Sequence, residues 1–590
     1  MISNMRWFFK FLIAVLSLYL CSCKADDNPA PGDIDLSSFN LDFEVRNPNN
    51  LSLPSFWYTG GDGFMINLDD VEKHHGKLSL KMERVGDRNG KFGQFYNGLV
   101  QIEDFRGKTV EFRGWIKTKG VKNGTVGLFV TVYGENSVVL GYDNMYYSRL
   151  TGDNDWTQVS VKVIIPNNAK TFYFGGSFPG EGIVWFDDLK IVINPAFKNA
   201  LSQDEISLLR KYVYPLRTFE PDGGDTKDLK ILDNLIGTSK VVGLGENSHG
   251  SSEIFKLKNR LIQYLAVNNS FDIFSVEACM PESYKVNDYI TKGEGDPKKL
   301  ISNMYFWTVR TEEMLNMVEW MRRFNQPTPR IWYTGFDMQY YKGAINELFG
   351  AYQGDLEMET KIAELKKKVD EDSGIIQIEP LLLFIQNCVE TATFPPSQKA
   401  WLQQMIQIIR QVVLFWAEVD GKTGNSTLFR DKFMAENVMW IKEQNPSSKL
   451  ILWAHNMHIM RAGTLLMGNH LAKELNNDYV SFGFTFFEGS FYANGSRAHG
   501  SYDAITAYPG TMEYLLNQLN EPIFILDLKK IKSDNHKDTQ WLNDYLTYRD
   551  EDELGDRKAS HFIYRKIVND FDYLIFIKKS TPSAVFPPPP

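Results

Sequence analysis

The sequence predicts a multidomain chain: an N-terminal all-β jelly-roll sandwich, followed by a three-layer α/β domain with a mainly parallel sheet and a helical insertion. Three observations predict it. The chain has 590 residues, more than one compact domain holds. Residues 41–194 alternate apolar and polar positions in short runs separated by Gly, Asn and Asp, which is typical of antiparallel strands. Beyond residue 200, continuous apolar runs alternate with helical stretches, which indicates parallel strands covered on both faces.

The composition is that of a folded protein and excludes several functional classes. Hydrophobic residues make up 43% of the chain and charged residues 23%, so it is neither disordered nor fibrous. A formal net charge of −9 offers no basic surface for a phosphate backbone, and we expect no nucleic-acid partner. Four cysteines are too few for a disulfide framework.

Residues 1–22 are predicted to be a bacterial lipoprotein signal peptide. Arg6 and Lys10 precede an apolar run over residues 11–20, which is too short to span a bilayer because spanning takes about 20 residues. The run ends in Leu-Cys-Ser-Cys, which resembles a lipobox and makes Cys23 the predicted lipidation site. We therefore expect an outer-membrane lipoprotein of the bacterial cell envelope, held to the membrane by its lipid anchor only and exposed on the surface. An ordinary secretory signal is the alternative.

The chain after the signal divides into five predicted parts. Residues 23–40 form a flexible tether, and residues 41–194 form the sandwich. The α/β domain takes residues 200–340 and 445–580. Residues 341–444 are too long for a crossover and carry helical patterns throughout, so they are predicted to be an insertion that covers or walls the site. Residues 581–590 are a tail.

The predicted sandwich resembles carbohydrate-binding modules at three stretches, residues 41–44, 114–118 and 182–189. The resemblance implies the fold and leaves a carbohydrate partner open. Exposed tryptophans could stack against sugars. Trp57, which lies in a segment that ends in glycines, is predicted to be the exposed ring, whereas Trp115 and Trp185 are predicted to pack in the core.

Ionisable side chains follow the predicted strands of the α/β domain, at the point where each strand ends. Because the carboxyl ends of parallel strands meet at one edge of a sheet, and ligands bind at that edge, these side chains are predicted to form one site. Singly, each could be a helix cap or a buried, hydrogen-bonded group. The side chains are Glu246, His249, Glu277, Asp337, His455, His458 and Glu488.

Several sequence blocks in this part of the chain resemble the erythromycin esterase family, in the same order, over about residues 201–580. The resemblance implies a three-layer α/β core with a helical insertion. It also implies hydrolysis of an ester, including the macrocyclic lactone of macrolide antibiotics. The matching blocks are residues 243–251, 276–278, 320–322, 335–337, 430–437 and 453–458.

The resemblance also implies roles for individual residues. It makes His249 the catalytic histidine, with Glu246 and Glu277 as its carboxylate companions. His455 and His458 match the second histidine pair of the family. The implied substrate-binding residues, one of them a lysine where the family often has an arginine with a planar, bidentate side chain, are Lys258, Asp337 and Arg430.

These residue types suit the hydrolysis of an ester by an activated water. An imidazole has an ordinary pKa of about 6.5 and can act as a general base near neutral pH, with a carboxylate orienting the ring. The sequence contains no G-x-S-x-G motif, which disfavours a covalent serine mechanism. No cofactor is expected, although three His and two Glu side chains around one cavity could hold a divalent metal.

Three functions compete on the sequence alone. The first is a hydrolase of carboxylic esters or lactones with a small-molecule substrate, which the Glu/His pattern favours. The second is a non-catalytic surface protein that binds glycan or haem and iron. The third is an esterase that acts on acylated polysaccharide, delivered to its substrate by the sandwich.

Overall fold

In the computed structural model, the chain is described over residues 39–86, 92–99, 102–137, 139–145, 149–194, 198, 200–221, 224–420, 426–463, 465–495, 499–544, 546–550 and 562–587. The predicted signal peptide, its lipidation site Cys23 and almost all of the predicted tether lie outside these residues. Within them, no helix combines the length and the apolar character that crossing a membrane requires.

Between residues 46 and 194, the described segments consist of strands, loops and two short 3-10 turns, without an α-helix, and we call this part the N-terminal β region. Its strand pairings within the described ranges are all antiparallel. The strands are β1 (Arg46–Asn47), β2 (Asn50–Pro54), β3 (Tyr58–Gly60), β4 (Phe64–Asp69), β5 (Ser79–Arg84), β6 (Gly93–Leu99), β7 (Thr109–Tyr133), β8 (Val139–Asp143), β9 (Leu150–Ile164), β10 (Thr171–Phe178) and β11 (Glu181–Asn194).

Strand β7, 25 residues long, joins two halves of this region. One end pairs with β8 and β10, and the other with β9 and β11. The two halves face each other across an apolar core, in which the rings of Phe95 on β6 and Phe186 on β11 lie 4.8 Å apart, centre to centre. Alternation along β7 turns Val130 and Val132 into this core. The jelly-roll connectivity stays a prediction.

Two of the three tryptophans with predicted roles, Trp57 and Trp115, differ from the prediction. The prediction for Trp57 is wrong: its side chain is buried, and its Nε1 donates to the Asn40 carbonyl at 2.9 Å. Trp185 is buried as predicted. Trp115 is half-buried and stacks on the ring of His74 at 4.1 Å instead of packing in the core. A glycine-flanked position in a sequence does not reveal that a ring folds inward.

The second part of the chain, which we call the α/β region, is built on a sheet in the order β12-β19-β22-β17-β13-β16-β14-β15, with β18 paired to β17. A separate hairpin joins β20 and β21. The strands are β12 (Val213–Pro215), β13 (Val241–Leu244), β14 (Ile273–Cys279), β15 (Trp332–Asp337), β16 (Leu450–Trp453), β17 (Tyr479–Ala493), β18 (Gly500–Asp503), β19 (Ile523–Asp527), β20 (Leu546–Arg549), β21 (Phe562–Arg565) and β22 (Tyr573–Ser580).

This sheet is mixed. Every pairing from β22 across to β15 is parallel, whereas β19 is antiparallel to both of its neighbours. Successive residues of a strand face opposite cores: Val241 lies in one apolar cluster and Val242 in the other, because side chains alternate along a strand. The sheet is therefore the middle layer of three.

Helices cover both faces of the sheet. Five of them, α7 to α11, lie between β15 and β16, where the sequence predicts the insertion. The helices are α1 (Gln203–Leu209), α2 (Ile231–Ile236), α3 (Ser252–Asn268), α4 (Met280–Lys292), α5 (Pro297–Ser302), α6 (Glu312–Phe324), α7 (Lys342–Ala351), α8 (Leu356–Asp370), α9 (Ile375–Thr391), α10 (Pro396–Asp420), α11 (Ser426–Gln444), α12 (Asn456–Ile459), α13 (Met467–Leu475), α14 (Met512–Asn517), α15 (Leu528–Asp534) and α16 (Ile567–Asp570).

Candidate active site

The carboxyl ends of three adjacent strands, β13, β16 and β14, converge on one cavity of about 900 Å³. The loop after β13 contributes His249, the end of β14 contributes Glu277, and the segment after β16 contributes His455. Parallel neighbours bring residues from distant parts of the chain to one edge of the sheet. The side chains that line the cavity at this edge are His249, Glu277, Arg430, His455 and His458.

The loop that carries His249 packs against the side chain of Asn456 and the backbone of Tyr492 and tolerates no side chain at two points. A Cβ at Gly245 would lie 2.1 Å from Oδ1 of Asn456, and one at Gly250 would lie 1.9 Å from the carbonyl of Tyr492. Such distances are well inside van der Waals contact, so these positions require glycine. The loop then enters α3, whose first turn is capped by the Ser251 hydroxyl.

His249 is paired with Glu246, three residues earlier. Its Nδ1 donates to Oε1 of the Glu246 carboxylate at 2.8 Å. Both side chains are nearly buried, with exposed fractions of 12% and 3%. Because a carboxylate accepts and does not donate, this contact places the Nδ1 proton of His249 on the Glu246 side of the ring.

Lys258 lies on the far side of Glu246 from His249. Its Nζ donates to Oε2 of Glu246 at 2.7 Å, and the lysine side chain is fully buried. Burial lowers the pKa of Lys258 to about 8, although the Glu246 and Glu277 carboxylates oppose the shift. The sequence predicts Lys258 as a substrate-binding residue. In the structure it contacts Glu246, so it would act on a substrate only through that carboxylate.

Glu277 joins the second half of the site. Its Oε1 accepts from Arg430 Nη2 at 2.8 Å and lies 3.2 Å from Nε2 of His458, while its Oε2 accepts from the backbone N–H of His455 at 2.8 Å. Burial alone would raise the pKa of this carboxyl, but the neighbouring His458 and Arg430 charges hold it well below its usual range. Glu277 is therefore an anion near neutral pH.

His458 is held between two carboxylates. Its Nδ1 donates to Oδ1 of Asp431 at 2.9 Å, and its Nε2 faces Glu277. Burial opposes a charge on the ring, yet the two carboxylates raise the pKa of His458 to about 10. Protonated at both nitrogens, this ring cannot serve as a general base near neutral pH.

Arg430 reaches the cavity from α11 in the helical insertion. Its Nη2 donates to Oδ2 of the fully buried Asp337 at 2.7 Å as well as to Glu277. The sequence predicts both Asp337 and Arg430 as substrate-binding residues. Only Arg430 lines the cavity, while Asp337 lies behind it and holds the guanidinium in place.

His455 faces His249 across the cavity, with 4.9 Å between the ring centres. Its Nδ1 accepts a hydrogen bond from the backbone N–H of Met457 at 3.3 Å. An accepting nitrogen carries no proton, so the proton of the neutral ring lies on Nε2. That nitrogen is 3.9 Å from Oδ1 of Asp550. The two histidines therefore have opposite tautomers.

A metal ion does not fit these side chains. Among the residues that the structure describes, no group of three or more His, Cys, Asp or Glu side chains is arranged to hold one. The Glu246 oxygens are taken by His249 and Lys258, and those of Glu277 by cationic side chains and a backbone N–H.

Several participants were not predicted. Asp431 and Asp550 have no sequence pattern that marks them, since each becomes relevant only by facing a histidine from another element. Glu488 was expected at the sheet edge, but β17 continues past it to Ala493, and Glu488 does not line the cavity. The apolar run at residues 479–484 predicts only the buried first half of β17.

The sequence profile of the erythromycin esterase family matches residues 267–580. This range holds Glu277, Arg430, His455 and His458, while Glu246 and His249 precede it. The Bacillus subtilis protein YbfO, which is named as a hydrolase, is 23% identical over 430 residues, covering 64% of this chain and 91% of the relative. Erythromycin esterase type II of Escherichia coli is 24% identical over 322 residues, 47% of this chain and 75% of the relative.

Solved structures share the fold. A succinoglycan biosynthesis protein superposes with a TM-score of 0.57 at 24% identity, over 65% of this chain and 98% of its own. An erythromycin esterase mutant in its open conformation superposes with a TM-score of 0.50 at 16% identity, over 62% of this chain and 98% of its own. Together, the family match and the named relatives support a hydrolase.

Proposed function

Since the chain belongs to the erythromycin esterase family, we propose that it hydrolyses a carboxylic ester or lactone by attack of a water that His249 activates. The observation that carries this proposal is the 2.8 Å contact between Nδ1 of His249 and Glu246. With the proton fixed on Nδ1, Nε2 is the nitrogen that takes a proton from a water in the cavity. The ring becomes an imidazolium, which the Glu246 carboxylate stabilises.

The neighbouring groups are assigned supporting roles. Lys258 is a positioning residue, because it holds the carboxylate of Glu246 against His249. His455 presents Nε2–H, which suits donation to the oxyanion or to the departing alkoxide. Arg430 lines the cavity and brings positive charge near the tetrahedral intermediate. His458, which also lines the cavity, positions Glu277, and Asp337 positions Arg430 from behind.

We propose a broader range of ester substrates than the family name suggests. The cavity of about 900 Å³ is large enough for a drug-sized lactone. The E. coli relatives are named for erythromycin. We propose that a lipid anchor at Cys23 would hold the enzyme on the bacterial cell envelope, where esters on other large molecules are also within reach.

A panel of esters tests the proposal. Erythromycin, p-nitrophenyl acetate and O-acetylated oligosaccharides are incubated with the wild type, with His249→Gln and with His536→Gln. His536 is a surface histidine with a side chain 46% exposed, so its variant is a matched control. We expect His249→Gln to lower kcat by about 10²–10⁴-fold, the usual contribution of a general base, and the control to match wild type. Absence of turnover by the wild type, or full activity of His249→Gln, contradicts the proposal.

A further inference from the structure

The cavity has a second wall, which the N-terminal β region supplies. Tyr142 and Asp143 on β8 and Lys162 on β9 line the same cavity as His249 and His455. A substrate that fills the cavity and reaches His249 therefore also touches the β region. The N-terminal β region thus forms part of the candidate site.

The second wall is fixed against the α/β region. Asp143 accepts backbone hydrogen bonds from Met145 on Oδ1 and Lys162 on Oδ2, both at 3.0 Å, which ties β8 to β9. The Lys162 ammonium lies 4.2 Å from the ring centre of Tyr564 on β21, a cation–π contact between the two regions. Its Nζ is also 3.6 Å from a carboxylate oxygen of Glu111.

A row of side chains leads from this wall across the outer face of the β region. Tyr142 on β8 pairs with Thr131 on β7, Thr131 pairs with Tyr173 on β10, and Tyr173 pairs with Gly98 on β6. Directly opposed residues on antiparallel strands point to the same face. A Cβ at Gly98 would lie 2.7 Å from the Tyr173 ring, so glycine there leaves room for the ring to lie flat on the sheet.

Further tyrosines continue this face. The rings of Tyr58 and Tyr96 stack at 5.4 Å, Tyr96 lies 6.3 Å from Tyr173, and Tyr133 lies 5.8 Å from Tyr173. Tyr58 is 57% exposed and Tyr142 is 45% exposed. We call these five residues, Tyr58, Tyr96, Tyr133, Tyr142 and Tyr173, the tyrosine track.

The chemistry of the track favours a neutral glycan. Each tyrosine offers a flat apolar face and a hydroxyl at its tip. A pyranose has the matching combination of a C–H face and peripheral hydroxyls. At the cavity end, the Asp143 carboxylate and the Lys162 ammonium add an acceptor and a donor for hydroxyl groups.

We propose that the tyrosine track, together with Asp143 and Lys162, binds a neutral glycan chain and presents an ester carried by that chain to His249. This inference rests on the proposed function and adds the substrate class to it. Water adds to the ester carbonyl, the C–O bond to the glycan breaks, and the glycan hydroxyl and a carboxylic acid are released.

Binding and hydrolysis are measured separately to test it. Binding of O-acetylated xylohexaose and cellohexaose is measured by calorimetry on His249→Gln, in which hydrolysis is expected to be slower by about 10²–10⁴-fold. We expect binding that weakens by about tenfold when Tyr58→Ala or Tyr173→Ala is added, the loss of one stacked ring. Tyr58 is a surface side chain, so its variant keeps the fold. Tyr284→Ala, an exposed tyrosine on α4 outside the track, is the matched control.

Hydrolysis gives the second readout. The track variants are expected to lower kcat/KM for the acetylated hexasaccharides by about tenfold and to leave p-nitrophenyl acetate unchanged. Binding of neither saccharide, or equal effects of Tyr58→Ala and Tyr284→Ala, overturns the track. If the saccharides bind but no ester is hydrolysed, the track stands and the proposed hydrolysis fails. If p-nitrophenyl acetate is hydrolysed but no saccharide binds, the proposed hydrolysis stands and the track fails.

Discussion

Glu246 accepts from two nitrogen donors at once, Nδ1 of His249 on Oε1 and Nζ of Lys258 on Oε2, so both carboxylate oxygens are engaged. The contact between Glu246 and His249 could be read from the sequence, because a residue three positions away in a turn reaches the same side of the chain. The partner on the other oxygen, Lys258, comes from α3 and is likewise close in sequence. By contrast, Asp431 reaches His458 from the insertion, and no local spacing reveals such a partner.

Metal removal is expected to leave activity unchanged. The carboxylate oxygens nearest the histidines are already engaged by cationic groups or N–H donors, so a metal would have to displace them. The test is ester hydrolysis before and after dialysis against a chelator, with metal content measured in parallel. Loss of one tightly held zinc ion together with activity would show that the donor groups rearrange around a metal.

The buried charge on His458 makes stability depend on pH. Its folded pKa of about 10 lies above the ordinary value of 6.5, so the folded chain holds one more proton than the unfolded chain between these pH values. The stabilisation is fully present below pH 6.5 and is lost as pH rises through about 10, at up to about 1.4 kcal/mol per pH unit.

We expect the wild type to lose melting temperature more steeply than His458→Gln as pH rises from about 6.5 to 10, because glutamine does not titrate. Thermal unfolding in a series of buffers measures both slopes, and His536→Gln is the surface control. Equal slopes for the wild type and His458→Gln would mean that His458 is not charged in the folded chain.

At the scale of elements, the C-terminal segment after β22 supports the loop that carries His249. The Thr581 N–H donates to Oε2 of Glu253 at 2.6 Å, and the Ser583 N–H donates to the Gly250 carbonyl at 2.8 Å. Phe586 is buried and its N–H donates to the Arg310 carbonyl. The sequence predicts only a tail at residues 581–590, because the four terminal prolines give no pattern from which these contacts could be predicted.

Ending the chain after Thr581 is expected to lower both kcat and thermal stability, since the loop after His249 loses the hydrogen bond between Ser583 and Gly250, worth about 0.5–1.5 kcal/mol, and the burial of Phe586 is lost as well. Ending it after Pro587 removes three prolines only and is the control. Activity and melting temperature of the two truncated chains give the comparison. Wild-type behaviour of the shorter chain would show that the segment does not support the loop.

The elements themselves were largely predictable, because apolar runs and helical periodicity are local signals. The apolar runs at residues 241–244, 450–453 and 573–577 predict strands, and β13, β16 and β22 lie at these positions. Two features depend on contacts between distant parts of the chain and could not be predicted from such local signals. The reversed direction of β19 depends on how its connections cross the sheet. The position of α11 over the cavity depends on how the five inserted helices pack together.

At the scale of the whole molecule, the shared cavity could not be read from the sequence at all. Tyr142 and Lys162 lie about a hundred residues before His249, and only the packing of the β region against β21 brings them together. The two regions form part of one compact unit, residues 37–590. If the sequence is divided into a binding module and an enzyme, the site is assigned to only one of the two regions, although residues of both line the cavity.

Attachment to the membrane is a prediction for the whole molecule that depends on Cys23. Expressed in a Gram-negative host with radiolabelled palmitate, the wild type is expected to take up label and to fractionate with membranes, because lipidation supplies an anchor. Cys23→Ala should be unlabelled, whereas Cys21→Ala serves as the neighbouring control. Unlabelled wild-type protein, or loss of label only in Cys21→Ala, would contradict the assignment of Cys23.

In the proposed mechanism His249 takes the proton from the attacking water, and the pH dependence of kcat/KM shows whether it does. For the wild type, kcat/KM should fall on the acid side, where the base is protonated and cannot act. In His249→Gln, the residual rate should be at least about a hundredfold lower and should lack that acid limb. An unchanged acid limb in His249→Gln would place the base elsewhere and contradict the account.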